Sequence, residues 1–197
     1  KMKNKGFTLI ELLIVITLLG ILAVAVLSAI NPVEQMNRSR DTSTRSDAEQ
    51  LINAVDRYYA TKGFYPWQTS ADPTISDPTL PFTEVRADWI ENGGDDSVLG
   101  KLSSGGAAEI KESFVSRIDA EGYNHLWIYN DGKQGSSTYA CFIPKSSSFK
   151  DDAWYRCSGQ GDFGELPADF PVTEACPGDC TNDDLGATPD GCYSCLP

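Results

Sequence analysis

Imidazole is nearly absent: His125 is the only histidine in 197 residues. Histidine is the side chain whose ordinary pKa lies near neutrality, so its scarcity leaves little for general acid–base chemistry. Set in the run His125-Leu126-Trp127-Ile128-Tyr129, it reads as a packed or half-exposed strand residue. Basic residues are also scarce, 16 Lys and Arg against 28 Asp and Glu, for a formal net charge of −12. Such an acidic surface repels a phosphate backbone at long range, which disfavours nonspecific nucleic-acid binding, and none is expected. The local concentration Arg38, Arg40 and Arg45 reads instead as a solvated or subunit-facing stretch. Asp162-Phe163-Gly164 looks like a kinase fragment but lacks a phosphate loop and a catalytic loop, and is read as coincidence. Acidic pairs such as Asp95-Asp96 and Asp151-Asp152 are ordinary surface features, so nothing here reads as an enzyme. Cysteine is missing before residue 141. Charge is missing almost wholly from Phe7 to Ile30, 24 residues in which Glu11 is the sole ionisable side chain.

A helix of that length rises about 36 Å, enough to cross a ~30 Å hydrocarbon core. A carboxylate inside such a span costs roughly 2.5–3.5 kcal/mol on insertion scales, so it calls for a partner that the segment itself does not offer. A secretory signal would be cut after the apolar region, at Ala23-Val24-Ala25 or Ser28-Ala29, which leaves Glu11 unexplained. A plain signal anchor with Lys1, Lys3 and Lys5 held in the cytoplasm fits length and charge, but accounts for neither Gly6-Phe7 nor Glu11.

The stretch Lys5-Gly6-Phe7-Thr8-Leu9-Ile10-Glu11-Leu12-Leu13-Ile14-Val15 resembles the class III leader of type IV prepilins and type II secretion pseudopilins. The resemblance implies cleavage after Gly6 by a membrane-embedded prepilin peptidase and N-methylation of the new terminal residue, Phe7. It makes Glu11 the glutamate that pairs with the mature terminus of a neighbouring subunit. Physical chemistry agrees with that role: cleavage creates an α-ammonium within about one helical turn of Glu11, and two buried charges are tolerable together when they are costly apart. The pair is then a register device for stacking subunits. Loss of Lys1, Lys3 and Lys5 with the leader takes the formal charge from −12 to −15.

Asn31-Pro32 predicts a kink or break in the helix, and Gly20 is a second weak point. In filaments of the family the core helix loosens between such a glycine and a proline. Gly20 stands where the family has its glycine, whereas Pro32 lies a few residues later than the usual proline, whose place is taken by Ser28. Farther on, Ala48, Leu51, Ile52, Val55 and Tyr59 share one helical face, and Lys62-Gly63 supplies a glycine stop. Tyr58-Tyr59 followed by Gly63-Phe64-Tyr65-Pro66 resembles pilins and major pseudopilins at the start of the loop from helix to sheet.

Gln68–Leu80, with Pro73 and Pro78, predicts a loop. Ala107, Ile110, Phe114 and Ile118 predict a short helix between Gly106 and Gly122. Asn124–Asn130, Ser137–Ile143 and Ala153–Ser158 read as strands, with turns at Asn130-Asp131-Gly132 and over Lys145–Asp152. Trp67, Trp89, Trp127 and Trp154 offer large groups for one core.

All six cysteines fall in the part expected to face an oxidising exterior, which favours disulfides. Cys141 and Cys157, on consecutive predicted strands, are the favoured pair. Cys176, Cys180, Cys192 and Cys195 would then staple the tail in one of three pairings. A four-cysteine zinc site is the sharper but less favoured reading of that quartet. Calcium held by Asn182-Asp183-Asp184 with Asp190 ranks below an Asp-rich solvated loop, because the glycine-anchored calcium loop is absent. No cofactor is therefore expected.

The expected fold class is α+β and type IV pilin-like. It has a leader over 1–6, a membrane-spanning and filament-core helix over 7–30, its amphipathic continuation over 31–62, a globular head over 63–175 and a Cys-rich tail over 176–197. The expected function is that of a structural subunit rather than an enzyme. It is held in the cytoplasmic membrane as precursor, then assembled with identical subunits, by a membrane assembly platform, into a surface filament. A secretion pseudopilin and a non-polymerising anchored binding module are the alternatives.

Overall fold

In a computed structural model the chain is described over residues 6–29, 31–74, 76–89, 97–104, 108–159, 166–180 and 191–197. It divides into two compact units, one ending at Met36 and one running from Asn37 to Pro197.

The first unit is dominated by α1, Leu9–Ala29. Residues Leu9–Leu27 have a mean hydropathy of 2.9 and none of this stretch is buried within the protein. A helix apolar on every side, with no protein surface covering it, needs a bilayer or other such helices around it. Thr17, its interior hydroxyl, donates to the Ile14 carbonyl at 2.8 Å, so that polar group is satisfied within the helix. Gly20 lies inside unbroken helix, and a Cβ there would meet nothing within 4 Å.

α2 runs from Pro32 to Lys62. Asn31 caps it: the Glu34 N–H donates to Asn31 Oδ1 at 3.3 Å and the Gln35 N–H to the Asn31 carbonyl at 3.2 Å. Pro32 occupies the first helical position, where its missing N–H leaves no bond unmade. The helix ends where Gly63 adopts φ +79° and its N–H bonds the Tyr59 carbonyl at 2.8 Å.

Within the second unit, Ala48, Leu51, Ile52, Ala54 and Val55 of α2 enter the main core. Tyr59 leaves the expected stripe and stays largely exposed, its ring stacked on Tyr65 at 4.6 Å, which in turn stacks on the buried Trp67 at 4.5 Å. The same face continues backwards through three polar residues, Asp41, Thr44 and Asp47, all buried. Asp41 accepts from the backbone N–H of Lys145 and, at 2.7 and 2.6 Å, from the N–H and hydroxyl of Ser146. Asp47 takes an Arg117 guanidinium and, at 2.9 Å, the Tyr123 hydroxyl. Burial, then the negative charge of Asp47, pushes the Tyr123 hydroxyl well above the usual phenol range.

The sheet covering α2 has four antiparallel strands in chain order: β1 Leu80–Glu84, β2 Leu126–Asn130, β3 Tyr139–Phe142 and β4 Ser194–Leu196. Alternation sorts the faces: Leu126, Ile128, Ala140 and Phe142 join the α2 core, while Trp127, Tyr129, Tyr139, Cys141 and Cys195 form a second cluster with Phe170. On that outer side Asp169 accepts the Ser137 N–H at 2.7 Å and the Tyr139 hydroxyl at 3.0 Å, and burial followed by Asp169 pushes the Tyr139 hydroxyl up to about 12. The β2–β3 turn needs a glycine: Gly132 sits at φ +74°, and a Cβ there would lie 2.7 Å from the Thr79 backbone nitrogen. Two short helices, α3 Val98–Ser103 and α4 Glu112–Ile118, close the far side of the core. Ile110 is buried just ahead of α4, and Ala107 and Gly106 lie outside the described residues.

Three expectations are corrected. The strand expected over Ala153–Ser158 and the turn before it are one helix, α5, Ser147–Ser158, ended by Gly159 at φ +66°. Phe149, Ala153 and Cys157 recur every four residues and pack inward, a helical spacing that six residues of period-two reading concealed. Cys157 therefore lies on a helix, and Cys141 bonds Cys195 instead, across the β3–β4 ladder where those residues are register partners. Nor is the last quartet self-contained. Cys157 bonds Cys176, beside the short helix α6, Val172–Ala175, and only Cys180–Cys192 joins two of the four. Every cysteine sulfur is thus engaged in a disulfide, including those read as zinc ligands.

Candidate functional site

The chain's N-terminal segment brings its chemistry-bearing residues together over six positions. Thr8 is the residue before α1 and Glu11 the third within it. The Thr8 N–H and hydroxyl both donate to Glu11 Oε2, at 2.9 and 2.7 Å, and the Glu11 N–H donates back to Thr8 Oγ1 at 3.3 Å. This is a reciprocal capping box. A helix start in an apolar medium leaves N–H groups without water, and the box satisfies two of them while setting a carboxylate at the positive end of the helix. Sequence reasoning singled out Glu11 and passed over Thr8, although Thr8-x-x-Glu11 ahead of an apolar run is a readable signature.

Just ahead of the box, Gly6 and Phe7 lie outside the helix, both exposed, Phe7 at 84%. A Cβ at Gly6 would meet nothing within 4 Å. The Gly6–Phe7 bond thus lies in exposed backbone outside the helix. Cutting it would place a cation four residues before Glu11. Lys1, Lys3 and Lys5, on the leader side, lie outside the described residues, as do Asp95-Asp96, Asp162-Phe163-Gly164, Asn182-Asp183-Asp184 and Asp190.

The other residues singled out are scattered. His125 stands with Nδ1 3.3 Å from Glu84 Oε1, its ring edge-on to Tyr123 and Trp127. Asp151 and Asp152 are exposed on α5. Arg45 pairs with Glu49 one turn on, and Arg38 and Arg40 are exposed on α2. The geometry worth a functional reading is therefore the N-terminal one.

Residues 1–27 match the family described as the prokaryotic N-terminal methylation motif. Over 149 residues the chain is 30% identical to the type IV major pilin protein PilE of Neisseria gonorrhoeae, which covers 76% of this chain and 80% of that one. It belongs to the type IV pilin family, taken to include the secretion pseudopilins. The type II secretion system core protein G of Escherichia coli (strain K12) is 32% identical over 136 residues, 68% of this chain and 77% of that protein. The fimbrial protein EcpC of Eikenella corrodens is 41% identical over 71 residues, 36% of this chain and 45% of that one. No solved structure matches. This pilin-family chain is a structural subunit by kinship, and its precursor is anchored in the membrane through α1.

Proposed function

We propose that the chain is the subunit of a type IV pilus-like surface filament, processed after Gly6, methylated at Phe7 and polymerised through α1. The observation that carries this reading is Glu11, capping the start of an apolar helix whose Leu9–Leu27 stretch is unburied among the described residues, four residues after the exposed Phe7. In the monomer Glu11 is held by Thr8. In the filament it neutralises the Phe7 ammonium of the next subunit, which fixes the axial register. Identical head-to-tail contacts of this kind give an open helix rather than a closed ring. The apolar helices form the filament core and the disulfide-bonded heads its surface. A prepilin peptidase, an assembly platform in the cytoplasmic membrane and the membrane itself before assembly are the partners this implies, and no cofactor enters. In this reading Gly20 and the Pro32 junction are where the core helix yields under tension.

A secretion pseudopilus is the second reading, favoured by the likeness to core protein G. The likenesses to pilin and fimbrial proteins favour the surface pilus. Intact-mass spectrometry with N-terminal fragmentation of material sheared from cells tests both. A chain beginning at methylated Phe7 in the sheared fraction is the expected result. Processed chain confined to the cell envelope would point to the pseudopilus, and an uncut leader in the membrane would leave only an anchored binding module. Glu11→Ala is expected to insert in the membrane normally and to abolish filaments. Unchanged filaments would remove Glu11 from assembly.

A further inference from the structure

The two disulfides closing the C-terminal region lie side by side. The sulfurs of Cys157, Cys180 and Cys192 are all within 4.8 Å of one another, and Cys176 is bonded to Cys157. Two covalent pairs from different parts of the chain, α5 with the α6 end and Cys180 with Cys192, thus share one sulfur cluster. Their environments differ. Cys180 and Cys192 are buried, at 2% and 0% exposure, in a small apolar cluster with Ala153, whereas Cys157 and Cys176 are half-buried. Thiol–disulfide exchange requires only a thiolate within reach of a disulfide, and its rate depends on access to the sulfur attacked.

We propose that Cys157 is the exchange point of a coupled disulfide pair, through which the head takes up a small external thiol on Cys176. The thiolate of the incoming molecule attacks the Cys176 sulfur, a mixed disulfide forms there, and the Cys157–Cys176 bond breaks with its electron pair on Cys157. The Cys157 thiolate then attacks Cys180 or Cys192, forming a new disulfide. The displaced partner leaves as a thiolate and takes a proton from solvent. Two disulfides and one thiol enter and the same number leave, so no oxidant or reductant is consumed. The released cysteine comes to rest in the buried apolar cluster with Ala153, where poor access leaves it weakly reactive. Cys141–Cys195 is not among the clustered sulfurs and stays outside the exchange.

The test uses the full chain in detergent micelles. Wild-type protein is exposed briefly to reduced glutathione, quenched with acid, alkylated with N-ethylmaleimide and mapped by peptide mass spectrometry. The expected result is glutathione on Cys176, maleimide on Cys180 or Cys192, and loss of the native Cys180–Cys192 crosslinked peptide. Maleimide on Cys157 with Cys180–Cys192 intact would overturn the proposal. So would glutathione on Cys157, or no reaction at all. Cys176→Ser provides a second readout without any added thiol. Cys157 is expected to be found crosslinked to Cys180 or Cys192, while in Cys195→Ser the freed Cys141 is expected to be alkylated with the other pairs native. Equal scrambling in the two variants would mean general reshuffling and would overturn the coupling.

Discussion

Asp41 is fully buried, and among the described residues its carboxylate accepts from two backbone N–H groups and one hydroxyl, those of Lys145 and Ser146. Hydrogen bonds to an ionised acceptor contribute about 1.5–3 kcal/mol, and removing the acceptor strands buried donors. Asp41→Ala is therefore expected to lower unfolding stability of the second unit by about 3 kcal/mol, read as a shift in denaturation midpoint at unchanged slope. A loss below about 0.5 kcal/mol would mean water takes over the donors. Gly132 is a different kind of constraint. Its positive φ and the nearness of the Thr79 nitrogen both exclude a Cβ, so Gly132→Ala should cost roughly 1–3 kcal/mol, by the same measurement. Gly132 was legible in Asn-Asp-Gly turn chemistry. Asp41, Asp47 and Thr8 were not read, because a search for apolar periodicity passes over polar residues, whether their partners lie 70 to 105 positions away or three residues on at the same helix start.

At the scale of elements, the helix ends were written in the sequence by Asn31-Pro32 and Gly63, and β2 and β3 by alternation in strands that separate two apolar layers. β4 was not, since a three-residue strand among Cys and Pro has no period to detect, and it joins the sheet only through its partner β3. That strand decides the disulfides. Cys141–Cys195 closes a separation of 54 residues and Cys180–Cys192 one of 12. In the chain-entropy account those loops contribute about 4 and about 3 kcal/mol. Replacing Cys141 and Cys195 together by Ala should therefore destabilise the fold more than replacing Cys180 and Cys192, and should release β4 from the sheet edge. Hydrogen exchange at the Ala140–Phe142 amides reads the second effect: faster exchange only in the first double variant is the expected outcome, and equal exchange in both would place the strand's hold elsewhere.

At the scale of the molecule, two units have opposite requirements. The leader motif and the α1 composition made the membrane unit legible at once, because a lone carboxylate in 24 apolar residues has few explanations. The second unit was legible only as a helix under a sheet, since its inter-element polar ties depend on the folded geometry. Among the described residues, its main core runs from Ala48 onward. A chain beginning at Asn31, which keeps the α2 cap and all six cysteines, is therefore expected to fold in water with native disulfides and to stay monomeric. Near-UV circular dichroism and sedimentation at increasing concentration measure the two properties. Loss of tertiary signal would show that α1 contributes to the head's stability. A folded head that still polymerised would move the assembly determinant out of α1, and with it the role given to Glu11. A folded monomer leaves the division of labour that the two units suggest: the apolar helix supplies the force for assembly, and the acidic, disulfide-bonded head supplies what the filament shows to its surroundings.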